Sequence, residues 1–207
     1  MEIIADLRNI LLPARDQGNA PTCLAFAAST AHELRHKLNT YLSPLYLYKM
    51  IKNNPSSADL GLTVEEVMTC LKVHGQVLED DYPYRLGTAS LLPEKLATYK
   101  SNSSYTSENI DIEIEKLVKE QKYVPIVGLD LNLAFWQPTA EMNIIFDSSG
   151  NSRGLHAVLV VGIAKDNTYE KLFLIRNSWG SNWGNNGYAW ITKEYLLERY
   201  RDSFYLQ

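Results

Sequence analysis

This 207-residue chain carries two cysteines and four histidines as its candidates for a nucleophile, a base or a metal ligand. A thiol attacks a carbonyl carbon as thiolate, and the unpaired N–H groups and dipole of a helix N-terminus favour that form. Cys23 follows Thr22, a residue able to cap a helix, and Cys23, Ala27, Thr30, Leu34 and Leu38 recur at helical spacing. The spacing predicts a helix over 23–38 with Cys23 in its first turn, where its thiol would ionise more readily than usual. Taken alone, a cysteine beside Leu24, Ala25 and Phe26 is more often a small core residue. Cys70 reads as a buried helix residue. His156 opens the apolar run His156-Ala157-Val158-Leu159-Val160-Val161-Gly162. An imidazole at the mouth of such a strand is more often a satisfied structural group than a base.

A different chemistry competes in the same helix. His32-Glu33-Leu34-Arg35-His36 matches H-E-x-x-H, in which two histidines one turn apart chelate zinc and the glutamate acts as base. Glu65 or Glu66 would have to complete the coordination. The plainer reading makes His32, Glu33, Arg35 and His36 polar positions outside the Leu34 stripe, with local ion pairing. Glu79-Asp80-Asp81 reads as a solvated turn.

The elements that must position these groups change character along the chain. Residues 1–22 read as extended or loop, broken at Pro13, Gly18 and Pro21. Further helices are predicted over Leu42–Asn53, with Ser43 as cap and Pro44 at the first position, and over Thr63–His74, closed by Gly75. Another is expected from about Asn109 to Lys122. Strands follow: Val124–Leu131, Asn143–Asp147, His156–Ala164, Lys171–Asn177 and Gly187–Thr192, separated by Gly, Ser and Asn clusters. Helices first and strands later argue for an α+β protein of two lobes. A helical lobe is expected over roughly 12–104 and a strand-rich lobe over 1–11 and 105–207, joined near Ser101–Ser107.

Three segments resemble the papain-like cysteine peptidases. Asp16-Gln17-Gly18-Asn19-Ala20-Pro21-Thr22-Cys23 is similar to the family's nucleophile segment, with Gln17 six positions before Cys23. Gly154-Leu155-His156-Ala157-Val158 is similar to the strand that supplies the base, and His156 lies 133 positions after Cys23, within the family range of about 130–150. The most specific is Asn177-Ser178-Trp179-Gly180-Ser181-Asn182-Trp183-Gly184-Asn185-Asn186-Gly187-Tyr188, which resembles Asn-Ser-Trp-Gly-x-x-Trp-Gly-x-x-Gly-Tyr. The resemblance implies a papain-like fold with the cleft between its lobes. It also implies Cys23 as nucleophile, His156 as base and acid, Asn177 as the group orienting the imidazole, and Gln17 with the Cys23 N–H as oxyanion donors. Trp179 would shield the His–Asn bond, and Gly61, Gly154, Leu155 and Ala157 would join it in lining the substrate site. The uncharged neighbours of His156 predict an apolar preference two residues before the cut. The same triad could instead serve acyl transfer or glutamine deamidation.

The chain departs from the family pattern at Ala20, which stands where a disulfide partner usually does, at Leu24 in place of an aromatic, and at Leu155 in place of a glycine. With one of two cysteines committed to chemistry, no internal disulfide is expected, which suits a cytoplasmic protein or one delivered into a target cell's cytosol. No signal peptide and no propeptide are legible before Glu2. An effector or toxin held by a cognate inhibitor or immunity protein at the cleft fits these features, as does a housekeeping peptidase. A protein or peptide is the expected substrate, with no metal or organic cofactor. The net charge of −4 shows no basic stripe for nucleic acid. No apolar run approaches the roughly 20 residues a membrane helix needs.

Overall fold

The computed structural model describes residues 1–52, 61–85, 92, 98–107, 109–121, 123–138 and 143–207. The first half supplies helices: α1 (Cys23–Arg35), α2 (Pro44–Ile51) and α3 (Val64–Val73). Their starts follow local chemistry. Ser43 Oγ accepts the Tyr46 N–H at 3.0 Å, with Pro44 at the position that needs no N–H donor. Thr63 and Glu66 form a reciprocal capping box, and Gly75 closes the far end of α3 at φ +76°. Helix α1 stops at Arg35, short of Leu38, because Lys37 turns into the left-handed region at φ 53°. Asn53 and Lys122, expected as helix ends, lie outside the described residues.

The second half builds a sheet. Strands β1 (Glu2–Asp6), β2 (Ser103–Tyr105), β3 (Ile126–Asp130), β4 (Ile144–Ile145), β5 (Leu155–Asp166), β6 (Glu170–Arg176), β7 (Tyr188–Thr192) and β8 (Tyr200–Leu206) are joined. Their order is β2-β8-β3-β5-β6-β7-β4, with β1 also on β5. Neighbours are antiparallel except β4 on β7. Long β5 is the spine: from Ala157 to Ala164 every residue is buried, as expected of a strand covered on both faces. Helix α4 (Ile110–Glu120) packs on β5, and α5 (Lys193–Arg199) packs on β6 and β7.

Three elements were not anticipated. The stretch expected as a linker contains β2, which pairs with β8 from Ser103↔Leu206 to Tyr105↔Phe204. Helix α5 and strand β8 close the chain. The core runs without interruption from Ala25 and Ala28 of α1 through Val127 and Val161 to Phe204. One face of α1 thus rests directly on the sheet, and Cys23 stands at the edge of that contact.

Candidate active site

Cys23 is the first residue of α1, but its N-terminus is not capped as expected. Thr22 occupies the cap position with no side-chain bond to the helix, and its Oγ1 lies 2.8 Å from the Tyr84 hydroxyl. The first-turn donors are therefore left to the sulfur. Burial pushes the Cys23 thiol up, while the N–H groups of Ala157, Leu24 and Cys23 itself pull it down without reversing the shift. The helix end alone does not deliver the low-pKa thiolate expected from sequence.

His156 enters from the start of strand β5, beside the Ala157 N–H that reaches Cys23. Its Nε2 lies 2.7 Å from Asn177 Oδ1. The same Oδ1 accepts the Ser178 N–H at 2.7 Å. A backbone donor can face only the oxygen of the amide, so this bond fixes which way Asn177 points. His156 must then donate from Nε2, which leaves Nδ1 as the basic nitrogen. Burial pushes the imidazole down to about 4, opposed by the Asn177 bond. Burial thus favours a neutral thiol and a neutral imidazole when each is considered alone.

An aromatic shell covers this bond. Trp179 lies 4.8 Å from the His156 ring between centroids, and Phe135 lies 5.8 Å from His156 and 5.4 Å from Trp179. Phe135 stacks on Trp183 at 5.1 Å and accepts its indole N–H at 3.0 Å. The turn holding these rings relies on Gly184, at φ +56°, where a Cβ would meet the Tyr188 carbonyl at 2.3 Å. Sequence reasoning missed Phe135 and Trp136, the latter 5.4 Å from Trp179. The available signal was an aromatic pair between Ala134 and Gln137, outside any predicted strand.

Gln17 is buried and tied at both ends. Its Oε1 accepts from Ser178 Oγ at 2.6 Å, and its Nε2 donates to the Ala20 carbonyl at 2.8 Å. An amide nitrogen has two hydrogens, so one N–H remains for a ligand in the cleft. That cleft, of about 710 Å³, is lined by Gln17, Cys23, Gly61, His156, Ala157 and Trp179 among others. Leu155 also lines it and is 72% exposed. Gly154 does not line it; its carbonyl accepts the Leu131 N–H at 2.9 Å. The far wall adds Glu65, Arg201 and Asp202, groups the sequence-level reading of specificity did not weigh.

The H-E-x-x-H residues are brought together differently. His32 and Glu33 are buried, not solvated. His32 Nδ1 lies 3.1 Å from Gln76 Oε1, and its Nε2 lies 3.1 Å from His36 Nε2. Glu33 turns to the Leu42 N–H at 2.9 Å. Glu65 accepts from Tyr105 and Glu66 from Lys52. Among the described residues no group of three or more His, Cys, Asp or Glu is arranged to hold a metal ion. Cys70 is core, its thiol pushed up to about 11 by burial, and both cysteines are free.

The fold is that of solved papain-like proteases. The chain matches the bromelain protease from Ananas comosus in complex with the E64 inhibitor at TM-score 0.78 and 19% identity, over 98% of this chain and 97% of that one. It matches digestive procathepsin L2 from Tenebrio molitor at TM-score 0.80 and 22% identity, over 98% and 67%. The model of the papain family cysteine proteases matches residues 4–199, so the chain belongs to that family. Among curated relatives, Cysteine proteinase 3 of Entamoeba histolytica is 28% identical over 91% of this chain and 62% of its own length. Cathepsin K of Mus musculus is 29% identical over 90% and 57%. The chain therefore spans less than two thirds of the length of these curated relatives.

Proposed function

We propose that this chain is a cysteine-type endopeptidase that cleaves protein substrates through Cys23, His156 and Asn177. The observation that carries the reading is the 2.7 Å His156–Asn177 bond, held under Trp179 in the cleft that also presents Cys23. An extended peptide lies in the cleft with its scissile carbonyl at Cys23. His156 Nδ1 takes the thiol proton as Sγ attacks, and the Cys23 N–H and the free Gln17 N–H receive the oxyanion. His156 returns that proton to the departing amine. Water deprotonated by His156 then hydrolyses the thioester.

Two free cysteines suit work in a reducing cytosol, whether of the producing cell or of one into which a bacterial effector or toxin is delivered. A cognate inhibitor or immunity protein seated in the open cleft is the partner this reading expects. Mapping of new protein N-termini in cells expressing wild type or Cys23→Ala tests it. New termini that depend on Cys23 are expected. Modified glutamines or acylated amines without new termini would replace peptidase with deamidase or acyl transferase.

A further inference from the structure

The two donors that the proposed mechanism aims at the oxyanion, the Gln17 side-chain N–H and the Cys23 backbone N–H, stand at opposite ends of one turn. Residues 17–21 of that turn line the cleft. Its backbone passes through the left-handed region at Gly18, at φ +60°, and the Gly18 N–H donates to Asp16 Oδ1 at 2.8 Å. Inside the turn the Ala20 carbonyl accepts from Gln17 Nε2 and from the Thr22 N–H, each at 2.8 Å. Gln17 is seated on the sheet side by Ser178: its backbone N–H donates to the Ser178 carbonyl at 2.8 Å, and its Oε1 accepts from Ser178 Oγ. Cys23 belongs to α1. The spacing of the two donors therefore depends on what joins Gln17 to Thr22 across the turn.

The Tyr84 hydroxyl makes that join. Its Oη lies 2.8 Å from the Gln17 carbonyl oxygen and 2.8 Å from Thr22 Oγ1. A carbonyl only accepts, so the phenolic proton goes to Gln17, and Thr22 donates its own proton to Tyr84 Oη. The other acceptor near Thr22 Oγ1, the Ala20 carbonyl, is 3.5 Å away, too long to compete. Gln17 is 7% exposed and Thr22 1%, and hydrogen bonds shielded from water in this way are stronger. Tyr84 is itself braced. Its N–H donates to Glu79 Oε1 at 2.6 Å, and Glu79 Oε2 accepts from Arg15 at 2.9 Å. Its ring stands edge-on to Phe26, in the first turn of α1, at 4.7 Å between centroids. The Arg15 guanidinium lies 5.1 Å from the same Phe26 ring. Arg15, Glu79, Tyr84 and Phe26 thus form a closed ring of contacts that fixes the hydroxyl against the helix carrying Cys23.

We propose that Tyr84 is a positioning residue for the oxyanion site: its hydroxyl sets the separation of the Gln17 and Cys23 donors. Such donors act only when they are held in advance where charge will develop. Tyr84 does not line the cleft, so it acts through the turn alone. Without its oxygen, Gln17 follows the sheet through Ser178 and Cys23 follows α1, and nothing holds the start of the turn to Thr22 through a shared partner.

The inference rests on the peptidase reading for its kinetic consequence but not for its geometry. Tyr84→Phe removes the hydroxyl and keeps the ring on Phe26. Its kcat should fall on the order of tenfold with KM unchanged, short of the roughly 100-fold that a 1 Å misplacement can cost. Alkylation of Cys23 by iodoacetamide passes through no oxyanion, so its rate should stay at the wild-type value. In a Gln17→Ala background the same substitution should cost less than about twofold, because the donor it aims is already gone. Wild-type kcat in folded Tyr84→Phe overturns the proposal. So does an undiminished loss in the Gln17→Ala background, or alkylation that slows in step with kcat, which would make Tyr84 a support of α1 alone. If Tyr84→Phe does not fold, Thr22→Val, which keeps the shape and loses the bond to Tyr84, takes its place in the same measurements. Crystal structures of wild type and variant give a readout independent of turnover: Gln17 Nε2 should shift relative to the Cys23 N–H, and an unmoved pair overturns the proposal. If the wild type hydrolyses no peptide, the peptidase reading fails, while the two crystal structures still judge Tyr84.

Discussion

At the residue scale, Gln17 depends on Ser178, the second residue of the Asn-Ser-Trp-Gly segment. Its amide oxygen is held by Ser178 Oγ at 2.6 Å, so in the proposed mechanism the oxyanion donor is aimed by the residue next to Asn177. Removing one such donor costs roughly 100- to 1000-fold in kcat elsewhere. Gln17→Ala should therefore lower kcat by about that much with little change in KM. Ser178→Ala, which releases the aim but keeps the donor, should lower it less, by about tenfold. Steady-state kinetics under conditions where acylation limits turnover check both, and equal losses would mean that Ser178 does more than hold Gln17. The residues of this site were legible because their types are rare and their spacing specific. What the sequence could not show was the state of charge. The helix-end argument predicted a readily ionised Cys23, yet burial between α1 and β5 outweighs the N–H groups around the sulfur.

At the element scale, α1 carries Cys23 at one end and a buried imidazole near the other. His32 is fully enclosed, and burial pushes it down to about 4. In the unfolded chain it titrates near the ordinary histidine value of 6.5. Below that pH the unfolded state binds a proton that the folded state refuses, so stability is full above about pH 6.5 and falls as the pH drops toward 4. By pH 5 the loss from His32 alone is about 2 kcal/mol. Glu33, which burial pushes up to about 7, works in the opposite direction over the same range, so the test is comparative: urea unfolding at pH 7.5 and pH 5 should show a smaller loss of stability on acidification in His32→Gln than in wild type. An unchanged pH dependence in that variant would assign the acid lability elsewhere. Helix starts at Ser43 and Thr63 were readable because their caps are local chemistry. Helix α5 was not, since its seven residues are under two turns and give no period to detect. Strand β2 is Ser-Ser-Tyr, with no apolar signal at all, and it exists because β8 offers an edge. Strand β8 runs across a register shift at Gly128/Leu129, which spoils the alternation that marks a half-buried strand.

At the scale of the whole molecule, the proposed function depends on two segments distant in sequence meeting across one cleft. The sequence placed Cys23 on a helix and His156 on a strand, but the far wall of the cleft comes from α3 and β8, and no local pattern could bring those together. Specificity follows from that wall. Leu155 and Ala157 favour an apolar side chain, while Glu65 and Asp202 stand opposite, with Arg201 engaged by Asp130 at 2.5 Å. A peptide library should therefore show apolar residues preferred and Lys or Arg tolerated over Asp or Glu. Selection for acidic residues would contradict this account of the wall. The central claim is that hydrolysis passes through a thioester on Cys23 assisted by His156. The most direct measurement is rapid mixing with a slowly deacylated ester substrate, followed by intact-mass and peptide mapping. The account predicts a burst of about one equivalent of leaving group and an acyl adduct on Cys23 that decays at the turnover rate. EDTA should leave both unchanged, and Cys23→Ala should abolish both. Turnover without an adduct, turnover retained by Cys23→Ala, or turnover lost to EDTA and restored by zinc would contradict it.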